Sequence, residues 1–259
     1  MRKIALLFVL LALVAGACSA QELKVAAAAD LQFALQEVAS GFQNQSGIAV
    51  KVTYGASGNL TTQIENGAPF DLFFSADSDF PRRLLQAGLA DPASFYEYAT
   101  GGLVLWVRNG SRLDLSRGMQ VLTDPSIKKI SIANPVTAPY GRAAVAALKS
   151  ANLYDAVSSR LVMGENISQA AQYVQTGAAD IGLLAISLAM SPTMSKEGHF
   201  AVVPAGSYPT MRQAVVIVAK SPHKTEAARF LEYVKQPQSI AILERYGFKL
   251  LATPHRPGK

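Results

Sequence analysis

The chain has 259 residues, half of them hydrophobic and 16% charged, with a mean hydropathy of +0.19. This composition excludes a disordered or low-complexity chain, and the length allows one large or two modest domains. The 24 basic and 18 acidic residues are scattered, with runs no longer than pairs such as Lys128-Lys129, so neither a nucleic-acid stripe nor a basic amphipathic helix is indicated.

The first twenty residues stand apart. Arg2-Lys3 is a basic start, Ile4 to Ala15 an apolar stretch, and Ala15 to Ala20 a small-residue zone. This pattern predicts a secretory signal peptide over 1–20, cleaved after Ala20, rather than a membrane span. The alternative is a lipoprotein leader, in which Ala15-Gly16-Ala17-Cys18 serves as a weak lipobox and Cys18 carries the anchor. Cleavage after Ala20 leaves no cysteine, hence no disulfide and no thiolate metal ligand. It also removes Arg2 and Lys3, leaving 22 basic against 18 acidic residues.

Taken in order, Leu23 to Ala28 predicts a strand. Asp30 is placed to cap a helix with Leu31, Ala34, Leu35, Val38 and Phe42 on its apolar stripe, ended by Gly47. Ile48, Val50, Val52 and Tyr54 alternate as a half-buried strand. Gly55-Ala56-Ser57-Gly58 is a small-residue turn, with Ser57 expected to cap a helix carrying Leu60 and Ile64. Leu72-Phe73-Phe74 begins a buried strand, and a short helix bearing Phe80, Leu84 and Leu85 follows Asp77. Gly101 to Val107 is a strand buried on both faces.

Ile130 to Ala133 is a further strand, running through Asn134 to Arg142 into a helix with Ala143, Ala144, Ala147 and Leu148. Asn166 caps a helix with Ala170, Ala171 and Val174 inward and Gly177 as its stop. Ala179 to Ile186 and Ala214 to Val218 are buried strands. Thr225 is expected to cap a helix with Ala228, Phe230, Leu231 and Val234, and Pro237 separates it from a last helix with Ile240, Leu243 and Tyr246. Strands alternating with helices predict an α/β chain with mainly parallel sheets.

Four strand-to-helix turns stand out, at Asp30, Ser57, Tyr140 and Ile167. In doubly wound sheets ligands sit at the carboxyl ends of strands, where such turns converge. Helix N-termini carry unpaired N–H groups and a positive dipole end, so two turns from each half of the chain could face each other around an anion. They could equally be plain helix starts, which every α/β protein has.

Enzyme signals are weak. No HExxH, P-loop, GxGxxG or GxSxG motif occurs. His199, His223 and His255 have no partner at metal-ligand spacing and read as surface residues. Asp71, Asp77 and Asp79 lack the glycine and glutamate of a calcium loop and read as a strand end and a cap.

Several segments resemble the periplasmic molybdate-binding proteins of ABC transporters: Ala26 to Leu31, Tyr54 to Leu60, Gln63 to Asp77, Asn134-Pro135 with Ala138 to Gly141, and Arg245 to Phe248. The likeness runs in order through the whole mature chain. It implies a type II periplasmic-binding-protein fold, with two lobes closing over a ligand cleft. The implied boundaries are residues 21–100 plus 208–259 for one lobe and 101–207 for the other.

The resemblance further implies a monomer that takes molybdate or tungstate to a membrane permease, with no cofactor, no catalysis and no nucleic-acid partner. The oxyanion would be held through its oxygens by Asp30, Ser57, Tyr140 and Ile167. The Tyr140 hydroxyl would serve in place of a tyrosine that some members carry near Ala185. Asp30 departs from the family, which commonly has Ser or Thr there. A carboxylate 4 Å from each unit of anionic charge is repelled by about 4 kcal/mol at an effective dielectric of 20. Asp30 could cap its helix, pair with Arg142 as a latch, or bind protonated. Alternatively, the ligand is another oxyanion or organic acid, or the chain is an enzyme on this scaffold with Asp30 as general base.

Overall fold

A computed structural model describes residues 22–251, which form two sheets. Six strands make the first: β1 (Glu22–Ala28), β2 (Ala49–Gly55), β3 (Leu72–Ser75), β4 (Tyr96–Gly101), β10 (Met211–Ile217) and β11 (Lys249–Leu250), in the order β11-β4-β10-β3-β1-β2. The second has β5 (Leu103–Arg108), β6 (Ile130–Ala133), β7 (Leu161–Gly164), β8 (Ile181–Ala185) and β9 (Gly198–Val202), in the order β7-β6-β8-β5-β9. The chain crosses between sheets from β4 to β5 and returns from β9 to β10. The leader, its cleavage point and Cys18 lie outside the described residues.

Period-two alternation makes the first sheet the centre of three layers. Val25, Ala27, Leu72, Phe74, Val215 and Ile217 face one way. They pack under α1 (Gln32–Ser46), α9 (Lys224–Val234) and α10 (Pro237–Arg245), where Phe42, Phe74 and Phe230 meet edge to face or tilted. Ala26, Phe73 and Val216 face the other way, against Leu60 and Ile64 of α2 (Ser57–Glu65) and Leu84 of α3 (Asp79–Gln86). The second sheet packs under α4 (Pro139–Ser150), the short α5 (Tyr154–Val157) and α6 (Ile167–Gln175), with Trp106 fully buried. Two one-turn helices, α7 (Ile186–Ala189) and α8 (Met194–Glu197), precede β9.

The sheets are mixed rather than mainly parallel. β2-β1-β3 and β7-β6-β8 pair in parallel, as βαβ crossovers require. The crossing strands and their neighbours pair antiparallel: β10 with β3 and β4, β11 with β4, and β5 with β8 and β9. β4, β7, β9 and β11 escape sequence reading because their exposed or half-buried residues interrupt an apolar run.

Register brings the turns together. Ala28 pairs with Gly55, and Ala27 with Phe74, so the turns after β1, β2 and β3 share one carboxyl edge. Ala133 pairs with Gly164, which does the same for the turns after β6 and β7.

Candidate functional site

The two carboxyl edges face each other and touch. The Gly58 N–H donates to the Thr137 carbonyl at 2.9 Å, and Asn59 Nδ2 to Glu165 Oε1 at 3.3 Å. Ser168 Oγ lies 3.0 Å from the Ala29 carbonyl and 3.0 Å from Gln32 Oε1. Ser187 Oγ donates to the Asp30 carbonyl at 2.7 Å. The turns at residues 30, 57, 140 and 167 thus close on one region between the sheets. Asp30, Ser57 and Tyr140 are each 1% exposed and Ile167 is 3% exposed, so anything held there is shut from water until the sheets part.

In each helix start, local bonding leaves particular N–H groups over. α6 has the Asn166 cap that its sequence predicts: Oδ1 accepts from the Ser168 and Gln169 N–H groups at 3.0 Å. The Ala170 N–H returns to the Asn166 carbonyl at 3.1 Å, which leaves the Ile167 N–H. In α4, Pro139 has no N–H, and those of Gly141 and Arg142 return to the Ala138 carbonyl at 3.0 and 3.2 Å. That leaves Tyr140.

Ser57 is not a cap. Ala56 holds that position and Ser57 is the first helical residue. Its Oγ accepts the Ala76 N–H from the turn after β3 at 3.1 Å, and its own proton has no protein acceptor among the described residues. The result is a hydroxyl with a donor to spare at a positive helix end. The expected Thr225 cap is likewise displaced: α9 starts at Lys224 with no side-chain cap.

Asp30 does not cap α1 either. It sits in a 3-10 turn, Ala29–Leu31, and no side chain caps the helix that follows. Its carboxylate enters a buried cluster instead. Asp30 Oδ2 accepts from Gln213 Nε2, which also lies 3.4 Å from the Tyr140 hydroxyl, while Gln213 Oε1 accepts from the Tyr98 hydroxyl at 2.8 Å. Among the described residues no group makes a well-formed hydrogen bond to Oδ1. Burial pushes the Asp30 carboxyl up to about 6, against the opposing pull of Gln213, Tyr140 and nearby backbone N–H groups. Gly101 makes room for the cluster: a Cβ there would lie 2.3 Å from the Tyr140 hydroxyl.

Arg142 is not paired with Asp30. It forms an ion pair with Asp77, just after β3, and its guanidinium stacks 5.2 Å from the centre of the Phe80 ring. Asp77 is nearly buried and also accepts from the Ser75 hydroxyl and the Phe80 N–H. The pair joins the two sheets at the rim. Among the described residues no group of three His, Cys, Asp or Glu comes together to hold a metal ion, and no helix is long and apolar enough to cross a membrane.

Sequence reasoning missed Gln213, Thr137, Asp77, Ser168 and Ser187 as members of this region. Gln213 leaves a signal, a polar residue directly before an apolar run. Thr137 Oγ1, buried without a partner, leaves none.

Two mixed sheets joined by crossing strands, with helix starts converging between them, define a type II periplasmic-binding-protein fold. The chain belongs to the bacterial extracellular solute-binding protein family, whose model matches residues 23–249. It is 38% identical over 238 residues to a molybdate-binding protein of Azotobacter vinelandii, spanning 92% of this chain and 94% of that one. It is 34% identical over 242 residues to that of Rhodobacter capsulatus, spanning 92% and 93%. Its fold is similar to the solved Azotobacter vinelandii periplasmic molybdate-binding protein, with a TM-score of 0.84 and 34% identity over 88% of this chain and 99% of that chain.

Proposed function

We propose that the protein captures molybdate, and tungstate with it, outside the cytoplasm and delivers it to the permease of an ABC transporter. The observation that carries this is the convergence of the Ser57 hydroxyl and the Tyr140 and Ile167 N–H groups in a region closed to water. Neutral dipoles from helix starts suit a tetrahedral dianion that must be released again. The guanidinium of Arg142, in the first turn of α4, is already committed to Asp77.

The lobes that accompany this reading are residues 21–100 plus 208–259, and 101–207. The chain acts as a monomer, exported by its leader to the periplasm or anchored through Cys18, with no nucleic-acid partner and no catalytic step. Asp30 has Gln213, Tyr98 and Tyr140 about it rather than a nucleophile, which speaks against a general base. That same carboxylate keeps another oxyanion as the second reading.

Thermal unfolding of the mature protein with molybdate, tungstate, sulfate and phosphate tests this. A ligand that binds only the folded state, at ~100 times its dissociation constant, adds about 2.7 kcal/mol. Molybdate and tungstate are expected to raise the melting temperature while sulfate does not. A shift with phosphate or sulfate alone keeps the fold and replaces the ligand.

A further inference from the structure

The Asp30 carboxylate is the feature that an oxyanion site least expects. One oxygen is taken by Gln213; the other is buried beside the Tyr140 hydroxyl and the Asp30 and Leu31 N–H groups but has no well-formed hydrogen bond among the described residues, on the turn that faces Ser168, Ser187 and Tyr140. A buried carboxylate oxygen without a well-formed hydrogen bond costs free energy unless it is protonated or meets a better donor. A dianion brings charge of the wrong sign. A protonated carboxyl solves both problems: Oδ2 keeps the Gln213 bond, and Oδ1–H becomes a donor to an anion oxygen.

We propose that Asp30 binds the oxyanion in its protonated form, so that each molybdate captured takes up one proton from solvent. This rests on the molybdate reading above.

The surroundings favour a neutral carboxyl. The titratable groups about Asp30 are the hydroxyls of Tyr98 on β4 and Tyr140 on α4, both pushed further up by burial, with Tyr54 on the adjoining β2 pushed the same way. β10 contributes the neutral Gln213, and α1, α6 and α7 contribute Gln32, Ser168 and Ser187. No cation among these holds the carboxylate ionised, and burial outweighs the surrounding hydrogen bonds to lift it to about 6. The dianion lifts it further. Affinity is therefore flat below about pH 6 and falls up to about tenfold per pH unit above it, until the pKa of the complex is passed. Because Gln213 lies on a crossing strand and Tyr140 on the second lobe, the proton also steadies the closed arrangement.

Calorimetric titration with molybdate tests this, run at pH 5.5, 6.5, 7.5 and 8.5 and in two buffers of different ionisation heat. Wild type is expected to take up close to one proton per molybdate at pH 7.5. Asp30→Asn, whose amide can accept from Gln213 and donate to the anion at every pH, is expected to take up none and to bind more tightly than wild type at pH 8.5. Wild-type affinity that is independent of pH with no proton uptake overturns the proposal and leaves the molybdate reading standing. Equal uptake by wild type and Asp30→Asn overturns it too, by placing the proton elsewhere. If molybdate binds at no pH, both readings fall together.

Discussion

Arg142, in the first turn of α4, forms an ion pair with Asp77, which follows β3 in the other lobe. The two residues lie on opposite sides of the cleft, so their contact exists only while the lobes are closed. The arginine side chain is 43% exposed and the aspartate 12%, so the pair is partly screened. Its contribution to closure is in the range of about 0.5–1 kcal/mol. Arg142→Ala is expected to weaken molybdate binding two- to sixfold, mainly through faster release. The loss should shrink in high salt. Stopped-flow release rates at two ionic strengths check this.

Gly58 isolates closure more sharply. A Cβ at this position would lie 2.8 Å from the Thr137 carbonyl, across the cleft, and 3.0 Å from the Phe80 ring. Gly58→Ala is expected to leave the ligand-free melting temperature within a few degrees of wild type. It should lose tenfold or more in affinity, because the Gly58–Thr137 hydrogen bond and the approach of the lobes go together. Parallel melts with and without molybdate separate the two effects.

Ser57 holds the fold and, in the proposed site, would hold the ligand as well. Its Oγ accepts the buried Ala76 N–H, and its proton has no protein acceptor among the described residues. Ser57→Ala is expected to cost about 1–3 kcal/mol of stability for the orphaned N–H, and about 0.5–3 kcal/mol of binding. Denaturant unfolding reads the first and calorimetry the second. An unchanged affinity would remove Ser57 from the site.

In the closed arrangement Asp30 contributes stability that favours acid. Its folded pKa of about 6 lies above the unfolded value of 3.8, so the native state binds the proton more tightly. Its contribution to stability is fully present below about pH 4 and is lost as pH rises through about 6. That difference corresponds to roughly 3 kcal/mol. Asp30→Asn is expected to flatten this part of the profile and to gain up to about 3 kcal/mol at pH 7. Urea unfolding of both proteins at pH 4.5 and 7 gives the difference directly.

What the sequence revealed here, and what it concealed, follows the distance over which each residue acts. Asn166 is legible as a cap because its partners are two and three residues away. Ser57 looks the same in sequence, yet its hydroxyl turns to Ala76, nineteen residues on. Asp30 looks like a cap too, but a carboxylate beside buried Gln213 and Tyr140 finds better partners 183 and 110 residues away than its own helix offers. Arg142 has its counterion 65 residues back, a pairing that only the facing of the two sheets creates. The four turns were legible because a strand that ends in small residues before a helix is a local pattern. That they meet depends on parallel register within each sheet and on the crossing strands, which no local pattern contains.

Crystals of the protein grown with sodium molybdate, and diffraction recorded at the molybdenum absorption edge, test the central claim most directly. The account predicts one strong anomalous peak between the lobes, with anion oxygens about 2.7–3.2 Å from Ser57 Oγ and the Tyr140 and Ile167 nitrogens. A peak elsewhere, as in the open surface groove lined by Phe42, Lys224 and Arg229, with the cleft empty, would contradict it.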